Sequence, residues 1–288
     1  MTFLGTIPIG GSNPVRIMGI LNLSPESFFK KSVAMTKTQI KNAVQKMEQE
    51  GANFIDVGGM STAPYLSTLI SERTESERLL SAIKIIQNVS NLPISVDTCR
   101  SSVAEKVLNC GVEIINDISG LKYDLKMKKI IAKSNASLIL CAYDKKMVSG
   151  NPVSVTRKLL RESIKIAKQE DISPDKIVLD PAIGFFRKNG KGPFFTKSKF
   201  DWFERDLLIL QDLSLLKQDF PIMISVSNKS FLGKLLDKED PSDRIFGSIA
   251  AEAISIMNGA DIIRTHNVSA SRDALLVASK LSKQRKGL

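Results

Sequence analysis

Three short apolar runs in this chain end in or beside a side chain that can read a flat, nitrogen-rich ring: PISVD in Asp97, EIIND in Asn116 and its neighbour, and KIVLD in Asp180. Carboxylates accept paired hydrogen bonds and a primary amide both donates and accepts, so the trio suits a heterocycle edged with N–H donors, of the pterin or guanine kind. Lys229, Arg264 and His266 stand at the ends of two later runs and bring positive charge. With the hydroxyls of Ser61 and Thr62 they suit a phosphate or a diphosphate. A single ligand carrying both features would engage both groups. Each of these residues alone has an ordinary use as a helix cap, and it is the set that points to a site. Asp56, within FIDVGG, is expected half in the core as a hydrogen-bonding residue. His266 is the only histidine, which excludes metal sites built on two histidines and leaves open a magnesium site of carboxylate and water.

Something must bring these positions to one place. Short β-rich runs alternate with stretches of helical period, and strands are expected at Val15–Leu21, Asn53–Val57, Pro93–Asp97, Glu113–Ile118, Ala136–Cys141, Lys176–Asp180, Pro221–Ser225 and Asp261–Thr265. Between them, Thr36 and Gly51 bracket one helical segment, and Ser101 or Ser102 with Gly111 bracket another. The runs are apolar almost throughout, as strands buried on both faces of a parallel sheet are. This rhythm predicts an α/β fold, a single (β/α)8 TIM barrel spanning residues 1–288. An open doubly wound sheet would need a GxGxxG turn after its first strand, and GILNLSPESF has none. In a barrel, residues at the C-terminal strand ends converge above a packed interior. The irregular stretch GFFRKNGKGPFFTKSKF, after the sixth strand, reads as an enlarged barrel loop.

With 43% hydrophobic and 25% charged residues the composition is that of a soluble globular protein. No apolar run reaches the roughly 18 residues of a membrane span, and the N-terminus MTFLGTIPIGG has no leader pattern, so a cytoplasmic location is expected. Cys99, Cys110 and Cys141 show no CxxC spacing, so neither a disulfide framework nor a zinc ribbon is suggested, and reduced thiols in or near the core are expected. A net charge of +11 favours anionic partners. Specific nucleic-acid binding is not expected, because the charge is spread and only Phe194 and Phe195 offer a place for bases to stack.

The segments MGILNLSPESF, GANFIDVGGMST, ISVDT, GVEIINDISG, IVLDPAIGF, SNKSFLG and GADIIRTHNV follow one another in the order seen in dihydropteroate synthases, and in them the chain resembles that family. The resemblance implies a pterin pocket of Asp97, Asn116, Asp180 and Lys229, and a diphosphate site of Asn22, Ser61, Thr62, Arg264 and His266, with magnesium near Asn22. A second-substrate site is expected at Ser230, Phe28, Pro64, Phe185, Arg187 and Lys188, and catalytic roles at Asp97, Lys229 and Arg264. The implied reaction displaces diphosphate from 6-hydroxymethyl-7,8-dihydropterin diphosphate by an aromatic amine such as 4-aminobenzoate. Cations fixed at Arg264, His266 and magnesium would then stabilise the departing diphosphate. Asp97 would offset charge on the ring, and SPESFFKKS would close over the site and exclude water. Mobile first and second loops, and a homodimer through the last helices near SASRDALLVASKL, are also implied.

Several positions depart from the family pattern. Met60 and Ala63 stand for a carboxylate and an arginine in GGESTRP, Glu26 for an aspartate, and Phe29, Lys30 and Lys31 for a serine-aspartate-glycine run. Cys141 lies where a pterin-contacting methionine is expected, Asn228 replaces an arginine, and Asn267 an aspartate. Either Lys30, Lys31 or Arg187 restores the lost charge, or the second substrate has changed. In the latter case Arg187, Lys188, Lys191, Lys197 and Lys199 around Phe194 and Phe195 would host an amine carrying its own phosphate, of the tetrahydromethanopterin-pathway type. Two other readings are a pterin-to-corrinoid methyltransferase and a catalytically silent pterin binder. The pairing of Arg264 with His266 and of Lys229 with Ser230 argues against the methyltransferase.

Overall fold

The structure is a computed structural model that describes residues 1–25, 33–34, 36–65 and 69–285. The expected flap residues Glu26, Phe28, Phe29, Lys30 and Lys31 lie outside the described residues, as do parts of both loops implied to be mobile. A hairpin of β1 (Thr2–Leu4) and β2 (Ile7–Ile9) opens the chain. Strands and helices then alternate: β3 (Arg16–Asn22), α1 (Lys37–Glu50), β4 (Phe54–Gly58), α2 (Glu72–Gln87), β5 (Ile94–Asp97), α3 (Ser101–Leu108), β6 (Ile114–Asp117) and α4 (Met127–Ser134). They continue through β7 (Ser137–Cys141), α5 (Pro152–Gln169) and β8 (Ile177–Asp180) to a small ladder of β9 (Phe186–Arg187) and β10 (Thr196–Lys197). The chain ends with α6 (Trp202–Gln211), β11 (Met223–Ile224), α7 (Ser230–Leu236), α8 (Ile245–Met257), β12 (Ile262–Thr265) and α9 (Val268–Arg285).

Eight strands form one parallel sheet in the order β11-β12-β3-β4-β5-β6-β7-β8. A bridge between Leu179 and Ile222 joins its two ends, so the sheet closes as the expected (β/α)8 barrel. The seam strand β11 is shorter than its apolar run suggested. Pro221 has no N–H to give to a ladder, and the Ile222 N–H goes instead to the Asp261 carboxylate at 2.9 Å. Helix α1 starts at Thr36 in a capping box with Gln39 and ends at Gly51, as its end signals require. Helix α3 differs from expectation. Its N-cap is Arg100, which makes no side-chain cap, and the Ser101 N–H is taken by Asp124 at 2.8 Å from a neighbouring loop.

The hairpin, not anticipated from the sequence, closes the lower end. Its Leu4 and Ile9 pack in one cluster with Met18, Phe54, Ile114, Ile139, Val178, Met223 and Ile262 from the strands around the barrel. Ser137 fastens it, accepting from the Gly5 N–H and donating to the Phe3 carbonyl. Strand side chains alternate in direction, so residues two further along point the same way, one level higher. Ile114 is therefore followed inward by Asn116, Val178 by Asp180, Phe54 by Asp56, and Ile262 by Arg264. The apolar floor fixes the height at which the polar residues stand. Replacing Leu4 with alanine should cost about 3 kcal/mol, read as a fall in the urea unfolding midpoint; a loss below about 1 kcal/mol would show that the hairpin does not support the floor.

Candidate active site

Arg264 occupies the centre of the upper level. Its Nε donates to Asp56 Oδ2 at 2.7 Å, and its Nη2 lies 2.6 Å from the same oxygen and 3.1 Å from Asp97 Oδ2. Burial works against its charge, but the two carboxylates outweigh burial and its pKa is raised. Asp56 is not half in the core, as expected, but wholly buried, and Ser95 donates to its second oxygen at 2.5 Å. The Asn116 amide approaches the shared oxygen at 3.5 Å. β5 and β6 set Asp97 directly beside Asn116 in register.

Among the described residues Asp97 Oδ1 is buried without a hydrogen-bond partner. Burial raises its pKa to about 7 against the pull of Arg264, with Asp56, Glu75 and Asp180 adding to the rise. Such an oxygen needs a donor, and a ring edge rich in N–H groups supplies one. Asp180 accepts from the Ala182 N–H at 2.7 Å, and burial raises its pKa while Lys229 and Arg264 oppose the rise. Burial also lowers Lys229, to about 8, against the attraction of Asp180. The Lys229 ammonium donates to the Ile183 carbonyl and lies 4.8 Å from the Phe185 ring centroid. Gly184 is required beside it: its φ is +85°, and a Cβ there would stand 3.1 Å from Lys229 Cδ.

His266 takes Ser227 at 3.0 Å on Nδ1 and the Asn22 amide at 3.5 Å on Nε2. Burial, reinforced by Arg264 and Lys229, lowers its pKa to about 3. The imidazole is therefore neutral near pH 7, which corrects the expectation of a fixed cation.

One cavity gathers most of the expected residues. Asn22, Ser61, Thr62, Arg264 and His266 of the diphosphate set line it, and so do Asp97 and Lys229. Pro64, Phe185 and Ser230 line it too. Asn116 and Asp180 are buried and are not part of its lining. Arg187 is buried as well, donating to Ser230 Oγ at 2.8 Å, while Lys188 is exposed and is not part of the lining. The expected basic cluster around two aromatic faces does not form: Lys191, Lys197 and Lys199 are exposed, but Phe194 and Phe195 are buried, Phe194 packing edge-on against Tyr123.

The departures fall into two kinds. Met60 and Ala63 line the cavity and make part of its wall apolar. Asn228 and Cys141 do not reach the lining. Asn228 sits at φ +58°, a conformation asparagine tolerates, with its N–H on Ser248 and its carbonyl on Arg244.

Sequence reasoning missed the residues that hold these groups from behind. Arg205 and Asp206, both fully buried and 2.9 Å apart, grip the loop after β8: Arg205 donates to the carbonyls of Pro181 and Ala182, and Asp206 accepts from the Gly184 N–H. Glu75 and Arg100, 2.7 Å apart and joined by Thr98, do the same behind the ends of β4 and β5. Tyr65, which lines the cavity, was also missed. Burial raises its phenol although Arg244 and Arg187 pull the other way. Only tertiary contacts reveal these partners.

Among the described residues no group of three or more His, Cys, Asp or Glu side chains is placed to hold a metal. Asn22, whose side chain carries an amide oxygen, lines the cavity. Such a site fits a hard ion only if ligand phosphates and water complete its shell, a common arrangement for magnesium.

A family described as pterin binding enzyme matches residues 18–266. The chain is similar to the dihydropteroate synthase of Synechocystis sp., 32% identical over 278 residues that cover 92% of this chain and 89% of that protein. Its structure is similar to that of a dihydropteroate synthase from Coxiella burnetii in complex with pteroic acid, with a TM-score of 0.81, 29% identity and coverage of 96% of this chain and 98% of that one. It is similar too to Xanthomonas albilineans dihydropteroate synthase with 4-aminobenzoic acid, with a TM-score of 0.79, 27% identity and 93% of each chain covered.

The arrangement around Arg264 carries its own test. Asp56→Ala leaves a buried guanidinium short of its nearest partner and should cost about 3 kcal/mol in urea unfolding. Asp56→Asn keeps one acceptor and should cost less. Equal losses in the two variants would show that the ion pair is not what stabilises this level.

Proposed function

The chain belongs to the dihydropteroate synthase family of pterin-binding enzymes and is a transferase, and from that premise we propose that it condenses 6-hydroxymethyl-7,8-dihydropterin diphosphate with 4-aminobenzoate, releasing diphosphate. The observation that carries this reading is the unpartnered Asp97 oxygen at a cavity shared by Lys229, Arg264, Asn22, Thr62 and His266. Asp97, Asn116 and Asp180 would bind the pterin edge. In the reaction the amine nitrogen forms a bond to the methylene carbon as the carbon–oxygen bond to diphosphate breaks, the electron pair leaves with the diphosphate, and the nitrogen then gives its surplus proton to water. Asp97, once ionised, offsets positive charge on the ring. Arg264 Nη1, held only loosely at 3.5 Å from Ser225, has a donor to give to a phosphate oxygen. His266 enters neutral, and an approaching diphosphate would counter the repulsion from Arg264 and Lys229 that helps to keep it so.

Magnesium, when bound, would neutralise charge on the diphosphate; in this chain Asn22 would hold it together with the substrate's own oxygens. The pteroic acid and 4-aminobenzoic acid in the similar structures support a pterin and an aromatic amine as the two substrates. Lys188 and Lys191 are exposed and are not part of the cavity lining, so a compact carboxylate is better matched than an amine bearing a phosphate. No observation favours the methyltransferase reading.

Oligomerisation belongs to the same proposal. Helix α8 exposes Phe246, at 81%, with Ile254 and Met257, and the adjoining α9 exposes Leu276, Val277 and Leu281. Two copies of the chain would cover these apolar faces mutually. Sedimentation should show a dimer that Ile254→Arg converts to monomer; a wild-type protein monomeric at micromolar concentration would refute the assignment.

Diphosphate release measured with magnesium and 4-aminobenzoate tests the activity, and its pH profile tests the roles. Below about pH 7 Asp97 gains a proton and loses acceptor strength, and above about pH 8 Lys229 loses its charge. The value of kcat/KM should therefore rise and then fall across this interval. Lys229→Arg should abolish the alkaline fall, since a guanidinium keeps its proton. Persistence of that fall would remove Lys229 from the role, and no release at any pH would remove the synthase reading.

A further inference from the structure

Arg187 lies in β9 and is only 8% exposed. Its guanidinium is fixed on three sides. Nη1 donates to the Phe186 carbonyl at 2.8 Å, Nη2 donates to Ser230 Oγ at 2.8 Å, and the plane lies 4.2 Å from the Trp202 ring centroid. None of these neighbours carries a negative charge. Among the described residues no carboxylate lies within ion-pair distance of Arg187: Asp206 is already engaged by Arg205 and the Gly184 N–H, each at 2.9 Å. A buried cation with no carboxylate in contact is costly, and since Asp206 and Asp201 act on it only from a distance, it leaves a positive field for whatever binds beside it.

Ser230 transmits that field. Its oxygen accepts from Arg187, so its hydroxyl proton must be given elsewhere, and among the described residues no acceptor takes it. The same residue lines the cavity, next to the Lys229 that faces the pterin end and with the apolar walls of Phe185 and Pro64. A hydroxyl whose oxygen is held by a guanidinium is a strengthened donor aimed at an anion.

We infer that Arg187 is the positioning residue that makes this site prefer an arylamine carrying a carboxylate, acting through the Ser230 hydroxyl without touching the substrate. The inference rests on the synthase reading above and adds to it the origin of its amine preference. It also separates Arg187 from Lys188 and Lys191, which follow it in the chain but stand in solvent.

The test compares initial rates with 4-aminobenzoate and its neutral isostere 4-aminobenzamide in the full-length enzyme. Wild type should favour the acid. Arg187→Met should reduce that preference about tenfold through the KM for the acid, while Arg187→Lys, which keeps a cation, should retain most of it. Ser230→Ala should lose the preference as Arg187→Met does. A variant that weakens both amines alike, or leaves their ratio unchanged, overturns the inference while the synthase reading stands. Should Arg187→Met fail to fold, Arg187→Gln, which keeps N–H donors but not the charge, takes its place, and an unchanged ratio there overturns the inference. Wild type turning over neither amine overturns the synthase reading and this inference with it.

Discussion

Arg264 is held between Asp56 and Asp97, and the upper level of the barrel depends on that arrangement. Three carboxylates, Asp56, Asp97 and Asp180, converge there in a space largely closed to water. Without a central cation their mutual repulsion would favour protonation, and a protonated acid accepts hydrogen bonds poorly. Arg264 relieves the repulsion and spends most of its donors doing so. What remains is asymmetric: Asp56 is saturated by Arg264 and Ser95, whereas Asp97 keeps an oxygen in reserve. The division between a supporting acid and a binding acid follows from which oxygen each has left.

The same crowding sets the charge state of the other groups. Lys229 and Asp97 are pushed toward neutrality from opposite directions, and His266 is held neutral outright. The unliganded site therefore carries less charge than its side chains suggest. A ligand that is anionic at one end and rich in N–H donors at the other would restore charge to these groups as it binds, which couples recognition of the two ends.

Much of this was legible in the sequence because a strand repeats every two residues and a barrel collects strand ends. All eight barrel strands followed from that periodicity, and so did Asp97, Lys229, Arg264 and His266 of the cavity lining, whereas Pro64, Phe185 and Ser230 were reached through the family resemblance. Residues whose roles depend on partners across the fold were not legible. Asp56 reads like any acid within a strand until Arg264, 208 positions away, is seen against it. Arg205 and Asp206 look like the surface of a helix, and Arg187 looks like one more charge in a basic loop; burial distinguishes them, and burial is a property of the whole fold. The hairpin escaped because its strands are three residues long, too short for alternation to show.

That hairpin also bears on the order in which the molecule can be completed. Its Leu4 and Ile9 are made long before Met223 and Ile262, which belong to the same layer. The floor cannot be finished on a partial chain, and neither can the level above it, where Arg264 must reach Asp56. Closing so many distant contacts at once slows folding. During translation Leu4 and Ile9 therefore stay uncovered until the strands carrying Met223 and Ile262 have been made.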